Sequence, residues 1–264
     1  MRLVDSHCHL QADRFEDDVD AVIAAAGAAG VERILVPGWN ATSSSAALEL
    51  VERVSWLDAA VGVHPHDAAN VSDAAWAAIA ASARNPRVVA IGETGLDYDR
   101  VFSPIPAQLG NLRRNLALAV ETGKPAILHC RSRAGERDAQ DALLAEVGAF
   151  GSEPPRVVIH SFSGPLDYAE SMLNLGAAIS ISGLAFRKGE EATADVVRIV
   201  PADRLLVETD SPYLSSPGAP RGRNAPEWVG LTAAWTADVR GDDRDAAGEA
   251  LVAAYDRVFG AQTG

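Results

Sequence analysis

The stretch Val88-Val89-Ala90-Ile91-Gly92-Glu93 is an aliphatic run that ends in an acid. A second run, Leu205-Leu206-Val207-Glu208-Thr209-Asp210, also closes on carboxylates. The six histidines of the chain close four more such runs, in the motifs D-S-H-C-H (His7, His9), G-V-H-P-H (His64, His66), I-L-H-C (His129) and V-I-H-S-F-S-G (His160). Imidazole and carboxylate groups therefore stand where apolar strands end, a pattern typical of a metal site.

The spacing of these run ends predicts the fold. Eight strand ends are expected, at His9, Val36, His64, Glu93, His129, His160, Ile181 and Asp210. The steps between them are 27, 28, 29, 36, 31, 21 and 29 residues, each long enough for a strand plus a helix. Ala-rich stretches with helical spacing lie between them, for example Leu112-Leu116-Val120. This alternation predicts an α/β fold, a (β/α)8 TIM-type barrel of parallel strands, in a single domain over residues 1–264.

An open, doubly wound sheet is the alternative architecture. The distribution of polar strand ends favours the barrel, because imidazoles or acids close six of the eight runs. A closed barrel brings such ends around one axis, whereas an open sheet spreads them apart.

The composition limits the possible functions. The chain carries 23 Lys and Arg against 36 Asp and Glu, a formal net charge of −13. This charge argues against sequence-independent binding of nucleic acid by a broad basic surface, so any phosphate contact must be local. No apolar segment reaches the length of a membrane span, and the first motif begins too early for a secretory leader. We expect a cytoplasmic protein without a membrane partner, in which Cys8 and Cys130 are buried, reduced thiols that point away from the site.

Five of the six candidate metal ligands lie at four of the strand ends. His7 and His9 are two residues apart on a strand, so both imidazoles lie on one face and can bind one cation together. Glu93 is flanked by glycines that permit a tight turn and close approach of a ligand. His129 and His160 follow runs apolar enough to be buried strands. Each residue alone could be a hydrogen-bonded core histidine or a helix-capping acid, but the set together favours a metal site.

With Asp210 added, this ligand set contains nitrogen and oxygen but no thiolate. It suits two divalent cations, which could be Mg²⁺, Mn²⁺ or Zn²⁺. Two such ions about 3.5–4 Å apart can clamp the attacking and leaving oxygens of a phosphoryl displacement. Glu93 is best placed to bridge them, and Asp210 is the candidate general base for the attacking water. Both are therefore candidate catalytic residues.

The ordered motifs resemble those of the TatD family of metal-dependent deoxyribonucleases, within the amidohydrolase-type barrels. They extend from Asp5 to about Pro226 and read D-S-H-C-H, G-V-H-P-H, I-G-E-T-G-L-D-Y, Gln108, P-A-I-L-H-C-R, H-S-F-S-G, E-T-D-S-P-Y-L and R-G-R-N-x-P. The resemblance implies a (β/α)8 barrel that hydrolyses phosphodiester bonds of DNA with divalent metal, commonly as a 3′ exonuclease. The implied ligands are His7, His9 and Asp210 for one metal, His129 and His160 for the second, and Glu93 for both.

The loop after the last run departs from the family pattern. The usual R-N-E-P reads Arg223-Asn224-Ala225-Pro226 here, so the acid is missing. The Pro/Gly/Ser-rich segment 211–226 is too long for a tight connection, and we expect an ordered active-site loop, with a plain surface excursion as the alternative. If the missing acid orders this loop, Ala225 weakens that order; if it touches substrate, selectivity changes.

Three residues are predicted to contact the phosphates of a substrate. His64 and His66 are expected to contact a phosphate or a leaving oxygen, because the ligand set is already complete without them. Arg131 lies two residues past His129 and can pair with a phosphate as a bidentate donor. A salt bridge from Arg131 to a loop acid is the alternative.

Aromatic and basic residues near the strand ends complete the candidates. Tyr98 and Phe162 can stack on a terminal base, although packing is the more ordinary role of an aromatic residue at a barrel rim. Arg221 and Arg223 can supply local positive charge in the loop after the last run.

The leading functional hypothesis is a divalent-metal-dependent nuclease that hydrolyses DNA as a 3′ exonuclease on single-stranded ends, with RNA as a further candidate substrate. The alternative is a metal-dependent ester or amide hydrolase, such as a D-aminoacyl-tRNA deacylase or a small-molecule amidohydrolase, because metal-activated water also serves acyl transfer. A non-catalytic metal-binding protein is the third hypothesis, and the intact Glu93 and Asp210 argue against it.

Overall fold

Strands and helices alternate along the chain. The computed structural model describes residues 1–151 and 154–261. The strands are β1 (Leu3–Asp5), β2 (Val31–Pro37), β3 (Leu57–Val61), β4 (Val88–Asp97), β5 (Ala126–Arg131), β6 (Val157–Ile159), β7 (Ala178–Ile181) and β8 (Leu205–Val207). The helices are α1 (Val19–Ala28), α2 (Ala41–Arg53), α3 (Asp73–Ser82), α4 (Ile105–Thr122), α5 (Asp138–Gly148), α6 (Leu166–Asn174), α7 (Thr193–Ile199), α8 (Val229–Arg240) and α9 (Arg244–Phe259). Within the described ranges, no helix combines the length and the apolar character needed to span a membrane.

The eight strands form a parallel barrel. Each strand pairs in parallel with the next one along the chain, in the order β1 to β8. The seam between β8 and β1 closes through the segments that follow both strands: Ser6 N–H donates to Val207 O at 3.0 Å and Asp210 N–H to His7 O at 2.9 Å. The predicted (β/α)8 barrel is confirmed, and the alternative of an open sheet is wrong.

Basic side chains at the amino ends of the strands cap the helices. Arg87, directly before β4, donates to four carbonyls at and beyond the end of α2. Lys124, Arg156 and Arg204, which shortly precede β5, β6 and β8, donate in the same way to carbonyls at the ends of α3, α4 and α6. Each helix end thereby gains partners for its unpaired carbonyls and a charge of the favourable sign. These cations lie at the face opposite the strand ends that carry the histidines.

Strand β4 is longer than predicted and is kinked at the acid. The sequence predicts that β4 ends at Glu93, but it continues to Asp97. Between Ile91 and Thr94 it advances three residues while β5 advances two, from Ala126 to Leu128, which is a bulge. The neighbouring glycine permits close strand contact, since a Cβ on Gly92 would lie 2.7 Å from Ile127 O. The glycines therefore serve strand packing at a bulge, and the predicted tight turn is wrong.

The two cysteines are free thiols. Cys8 is completely buried, as predicted. Cys130 is partly exposed while its side chain packs against the core, so the prediction of full burial is wrong for this residue.

Candidate metal centre and nucleic-acid pocket

A pocket of about 820 Å³ lies at the carboxyl ends of the strands. Its lining includes five of the six predicted metal ligands, which are His9, Glu93, His129, His160 and Asp210. The sixth, His7, is fully buried directly beside them. In a parallel barrel this face carries the functional groups, because the segments that follow all eight strands meet there.

One oxygen of Glu93 faces a first group of ligand atoms. Glu93 Oε2 lies 3.3 Å from His7 Nε2 and 3.6 Å from His9 Nε2. Asp210 Oδ1 lies 3.4 Å from His9 Nε2 and 3.8 Å from His7 Nε2. These four side chains therefore converge on a common point, from the segments after β1 and β8 and from the bulge of β4.

The other oxygen of Glu93 faces a second group. Glu93 Oε1 lies 3.1 Å from His160 Nε2, 3.3 Å from His129 Nδ1 and 3.3 Å from His64 Nε2. The carboxylate thus has one oxygen toward each group, which is the arrangement expected of a residue that bridges two cations.

The donor set fits divalent cations. Three groups of ligand atoms, each within 4.8 Å of one another, are His7–His160–Asp210, His7–His9–Glu93 and His64–Glu93–His129. The Nε2 atoms of His7 and His9 are 3.2 Å apart. Two nitrogens that each lie about 2.0–2.1 Å from one tetrahedral cation are separated by about 3.3 Å. The imidazole pair is therefore spaced as two ligands of one ion.

The electrostatics of the cluster keep Glu93 ionised. Burial acts to raise its pKa, but the surrounding histidines, His160 first and then His64, hold the pKa of Glu93 well below its usual range. A buried carboxylate surrounded by imidazoles presents full negative charge to a cation.

Glu208 supports one of the ligands from behind. Its Oε1 lies 3.0 Å from His160 Nδ1 and also accepts hydrogen bonds from the Ser161 backbone N–H and hydroxyl, at 2.7 and 2.8 Å. The carboxylate thereby fixes the ring so that Nε2 faces Glu93, an arrangement that orients metal-binding histidines in general. Glu208 is completely buried, and sequence reasoning did not assign it a role.

His64 is oriented as a hydrogen-bond donor. Its Nδ1 accepts the His66 backbone N–H at 3.1 Å, so the proton of the neutral ring resides on Nε2, the atom that faces Glu93. Burial lowers the pKa of His64 to about 4, which keeps the ring neutral. This tautomer suits the predicted contact with a phosphate oxygen better than metal ligation.

Asp97 joins two histidines of the pocket and was also missed from sequence. Its Oδ2 lies 2.7 Å from His66 Nε2 and 3.4 Å from His129 Nε2. Its backbone N–H donates to Gln108 Oε1 at 2.8 Å, and the Gln108 amide donates back to Asp97 O at 3.0 Å. Gln108, on α4, therefore holds the end of β4 in the position from which Asp97 reaches both rings.

Asp210 occupies an unusual backbone conformation at the mouth of the barrel. Its φ is +53°, in the left-handed region, and it is 9% exposed. Residues in this region cluster at functional sites. The side chain faces His9 and lines the pocket, so it is the candidate base that a water in the pocket can reach.

Arg131 lines the pocket, and in the described part of the chain its side chain forms no hydrogen bond and no ion pair within 4 Å. The loop acid Glu190, in the same lining, interacts with Arg131 electrostatically without a direct salt bridge. Arg100, which follows β4, lines the pocket in the same unpaired state. Both groups can accept a phosphate.

The structure places three other predicted substrate contacts elsewhere. Tyr98 and Phe162 are 6% and 1% exposed and belong to the hydrophobic core, so neither presents a ring face to a base. Arg223 donates to both oxygens of Asp18 at 2.7 Å and packs over the ring of Phe15 at 4.6 Å. Its guanidinium is therefore engaged in holding the loop, outside the pocket lining.

The segment 211–226 reaches the pocket. Tyr213 and Leu214 line it, and Asn224, which is 2% exposed, donates to Thr209 O and Tyr213 O at 3.0 and 2.7 Å. Ala225 is buried beside Asn224. The hydrogen bonds of Asn224 thus tie this loop to the end of β8 without an acid at position 225.

A parallel barrel with buried imidazoles and carboxylates around a pocket at its strand ends defines a metal-dependent hydrolase. A family model described as TatD related DNase matches residues 4–260. The chain therefore belongs to the TatD-related DNase family, and it is a metal-dependent hydrolase of the nuclease type.

Relatives and solved structures agree with this membership. The 3′-5′ ssDNA/RNA exonuclease TatD of Klebsiella pneumoniae (strain 342) is 37% identical over 247 residues, 91% of both chains. The uncharacterized metal-dependent hydrolase YabD of Bacillus subtilis (strain 168) is 35% identical over 239 residues, 90% of this chain and 91% of that protein. The crystal structure of YJJV, a TatD homologue from Escherichia coli K12, has a TM-score of 0.87 at 31% identity and covers 99% of both chains.

Proposed function

We propose that this protein is a 3′–5′ exonuclease that removes nucleotides from single-stranded ends of DNA, with two divalent cations in the pocket. The observation that best supports this proposal is the position of the Glu93 carboxylate, whose two oxygens face two separate groups of histidines. The name of the Klebsiella relative, an ssDNA/RNA exonuclease, supports this substrate class and makes RNA a second substrate to test.

Divalent cations bound by these groups would polarise the phosphodiester and lower the pKa of the attacking water. The residues of the chain perform the remaining tasks. Asp210 accepts the proton of that water, His64 donates its Nε2–H to a phosphate oxygen, and Arg131 pairs with a second phosphate. Glu208 keeps the His160 ring from rotating, so that the site is organised before the substrate arrives.

Local charge favours a strand end over internal duplex. The net charge of −13 repels a polyanion, and the described pocket lining offers two guanidinium groups, those of Arg100 and Arg131. A chain end needs only a few phosphate contacts, whereas an internal duplex site presents many phosphates on both strands.

The alternative of an ester or amide hydrolase is not favoured. A relative that is 37% identical over 91% of both chains is named as an exonuclease. No feature of the described pocket was found that would select an aminoacyl ester or a cyclic amide over a phosphodiester.

An activity screen of the metal-reconstituted protein tests the proposal. We expect release of mononucleotides from 5′-labelled single-stranded DNA, loss of activity with a chelator, and recovery with Mg²⁺ or Mn²⁺. Glu93→Gln should be inactive, while Glu52→Gln, the same change on the exposed surface of α2, should not differ from wild type. Equal cleavage of circular DNA, shortening from the 5′ end, or preferential hydrolysis of aminoacyl esters would contradict the proposal.

A further inference from the structure

We infer that Phe102 and Tyr213 are two base-stacking platforms, which hold neighbouring bases of a nucleic-acid end on opposite sides of the cleaved phosphodiester. The inference rests on the proposed function and adds to it the position and the direction of the bound strand. Neither residue belongs to the predicted substrate contacts.

Both side chains are unusually exposed for aromatic residues of this protein. The large hydrophobic residues exposed in the described structure are Met1, Phe102, Val120, Ile199 and Tyr213. Only Phe102 and Tyr213 among them are aromatic, at 66% and 51% exposure, and both contact histidines of the pocket. Exposed aromatic rings at a binding site offer faces on which bases of any sequence can stack.

The two rings stand across the barrel from each other. Phe102 follows β4 and Tyr213 follows β8, and strands four apart in an eight-stranded ring lie opposite each other. The Phe102 ring is 4.7 Å from that of His66, and the Tyr213 ring is 6.0 Å from that of His9. The Glu93 cluster lies between these two histidines, so a phosphodiester bound there has one platform on either side.

Charge assigns a direction to the strand. The guanidinium groups of the pocket lining belong to Arg100, which follows β4, and Arg131, which ends β5, so both lie on the Phe102 side. On the Tyr213 side no Lys or Arg of the described chain lines the pocket: Arg14 donates to Pro212 O at 3.0 Å, Arg223 pairs with Asp18, and Arg221 lies outside the lining. The remaining strand, which carries further phosphates, therefore lies on the Phe102 side.

The nucleotide to be released consequently lies on the Tyr213 side. Trp39 adds a second aromatic surface there, since its ring is 5.3 Å from that of His9 and lines the pocket. The first base then stacks on Tyr213, and the second base, across the cleaved bond, stacks on Phe102.

Abasic substrates combined with the two alanine variants test this assignment. Single-stranded oligonucleotides carry an abasic residue at the first or the second position from the cleaved end. We expect Phe102→Ala to lower kcat/KM on the intact oligonucleotide by about 5- to 150-fold, the range for one lost stacking contact. The loss should appear in KM, because stacking is present before and during the reaction. Val120→Ala, which removes exposed apolar surface from α4, should match wild type.

The dependence of each variant on the position of the abasic residue distinguishes the loss of a stacking platform from general damage to the protein. For Phe102→Ala, removal of the second base should cause little further loss, while removal of the first base should cost as much as in wild type. Tyr213→Ala should show the reverse. Because intact and abasic substrates are compared within each variant, a change in folded fraction cancels. Equal losses from both abasic positions in both variants would overturn the inference.

The same substrates separate this inference from the proposed function. A wild-type protein that degrades no nucleic-acid end would overturn the exonuclease proposal. Equilibrium binding of the oligonucleotides in chelator still reports the platforms in that case, and identical affinities of wild type and Phe102→Ala would then overturn the inference as well.

Discussion

Replacement of Arg131 by Gln, measured as a function of salt, tests how an acidic protein holds a polyanion. The chain has 23 Lys and Arg, yet Arg87, Lys124 and their counterparts cap helices at the opposite face. Others form surface ion pairs, as Arg137 does with Asp141 and Asp167. Arg100 and Arg131 are the basic residues that line the pocket in the described structure, so they are the groups placed to neutralise phosphates there.

The number of guanidinium groups in the pocket lining sets the expected salt dependence of the affinity. Each neutralised phosphate of a single strand contributes about −0.7 to the slope of log affinity against log salt, so two guanidinium groups give a slope of about −1.4. Between about 50 and 200 mM salt the affinity should then fall by about 7-fold. Arg131→Gln should reduce the slope to about −0.7 and the fall to about 2.6-fold.

Fluorescence anisotropy of a labelled single-stranded oligonucleotide measures these slopes. The Asp210→Asn background prevents turnover during titration, and the divalent-cation concentration stays fixed. Arg137→Gln serves as the matched control, because it removes an exposed, already paired guanidinium outside the pocket lining. Its slope should equal that of the parent.

Two results would refute the reasoning. A parent slope near −4.2, which corresponds to about six phosphate contacts, would mean that the strand follows a basic surface beyond the pocket. An unchanged slope in Arg131→Gln would mean that Arg131 touches no phosphate.

Three further predictions concern the metal centre. Glu93→Ala should lose more activity than His129→Ala, because Glu93 faces both ligand groups. Measurements of metal content and kcat check this prediction. A Glu93→Ala protein with full metal content and a near wild-type rate would contradict it. Asp210→Asn should keep oligonucleotide affinity but lose single-turnover rate, since an amide cannot accept a proton; normal chemistry with weakened metal binding would show that Asp210 is a ligand only. Glu208→Ala should weaken metal affinity or activity by about 10- to 100-fold, because the His160 ring loses its hydrogen-bond partner. Unchanged metal affinity and rate in this variant would show that Glu208 does not orient His160.

The barrel could be predicted because its strand ends are marked in the sequence. Imidazoles and acids are out of place in an apolar run, so Glu93 and His160 reveal where two strands reach the pocket. The end of β7 is predicted at the observed residue, Ile181. The length of β4 could not be predicted, because its bulge depends on pairing with β5, which lies some thirty residues further along the chain.

Part of the site depends on contacts that spacing does not encode. Glu208 and Asp210 are two residues apart, so alternation alone assigns both to one face, and only burial shows that Glu208 lies behind His160. Arg223 resembles a free cation in sequence, but its partner Asp18 is 205 residues away. Phe102 belongs to no motif of the sequence. Its exposure results from the path of the segment after β4, which residue spacing does not predict.

The ligand groups also lie across the junction between β8 and β1. Between β8 and β1 the described sheet has an isolated bridge, Cys8 to Ser211, in place of a ladder. Side chains reinforce this seam, as Thr209 donates to both oxygens of Asp5 at 3.0 and 2.6 Å. His9 extends from one side of the seam and Asp210 from the other. A cation held by both would therefore tie the seam together, so metal should stabilise the fold as well as serve the chemistry.

Stabilisation by metal provides a readout that is independent of activity. A cation at 100 times its Kd adds about 2.7 kcal/mol to the free energy of unfolding, which for a chain of this size raises Tm by roughly 5–10 °C. The stabilisation should be local as well as global. Amide exchange at His9 and Asp210, whose N–H groups bridge the seam, should slow more on metal addition than exchange at Leu128, in the β4–β5 ladder. Asp210→Ala should remove most of both effects. If metal slowed all three amides equally, or raised Tm as much in Asp210→Ala, the cation would not act across the seam.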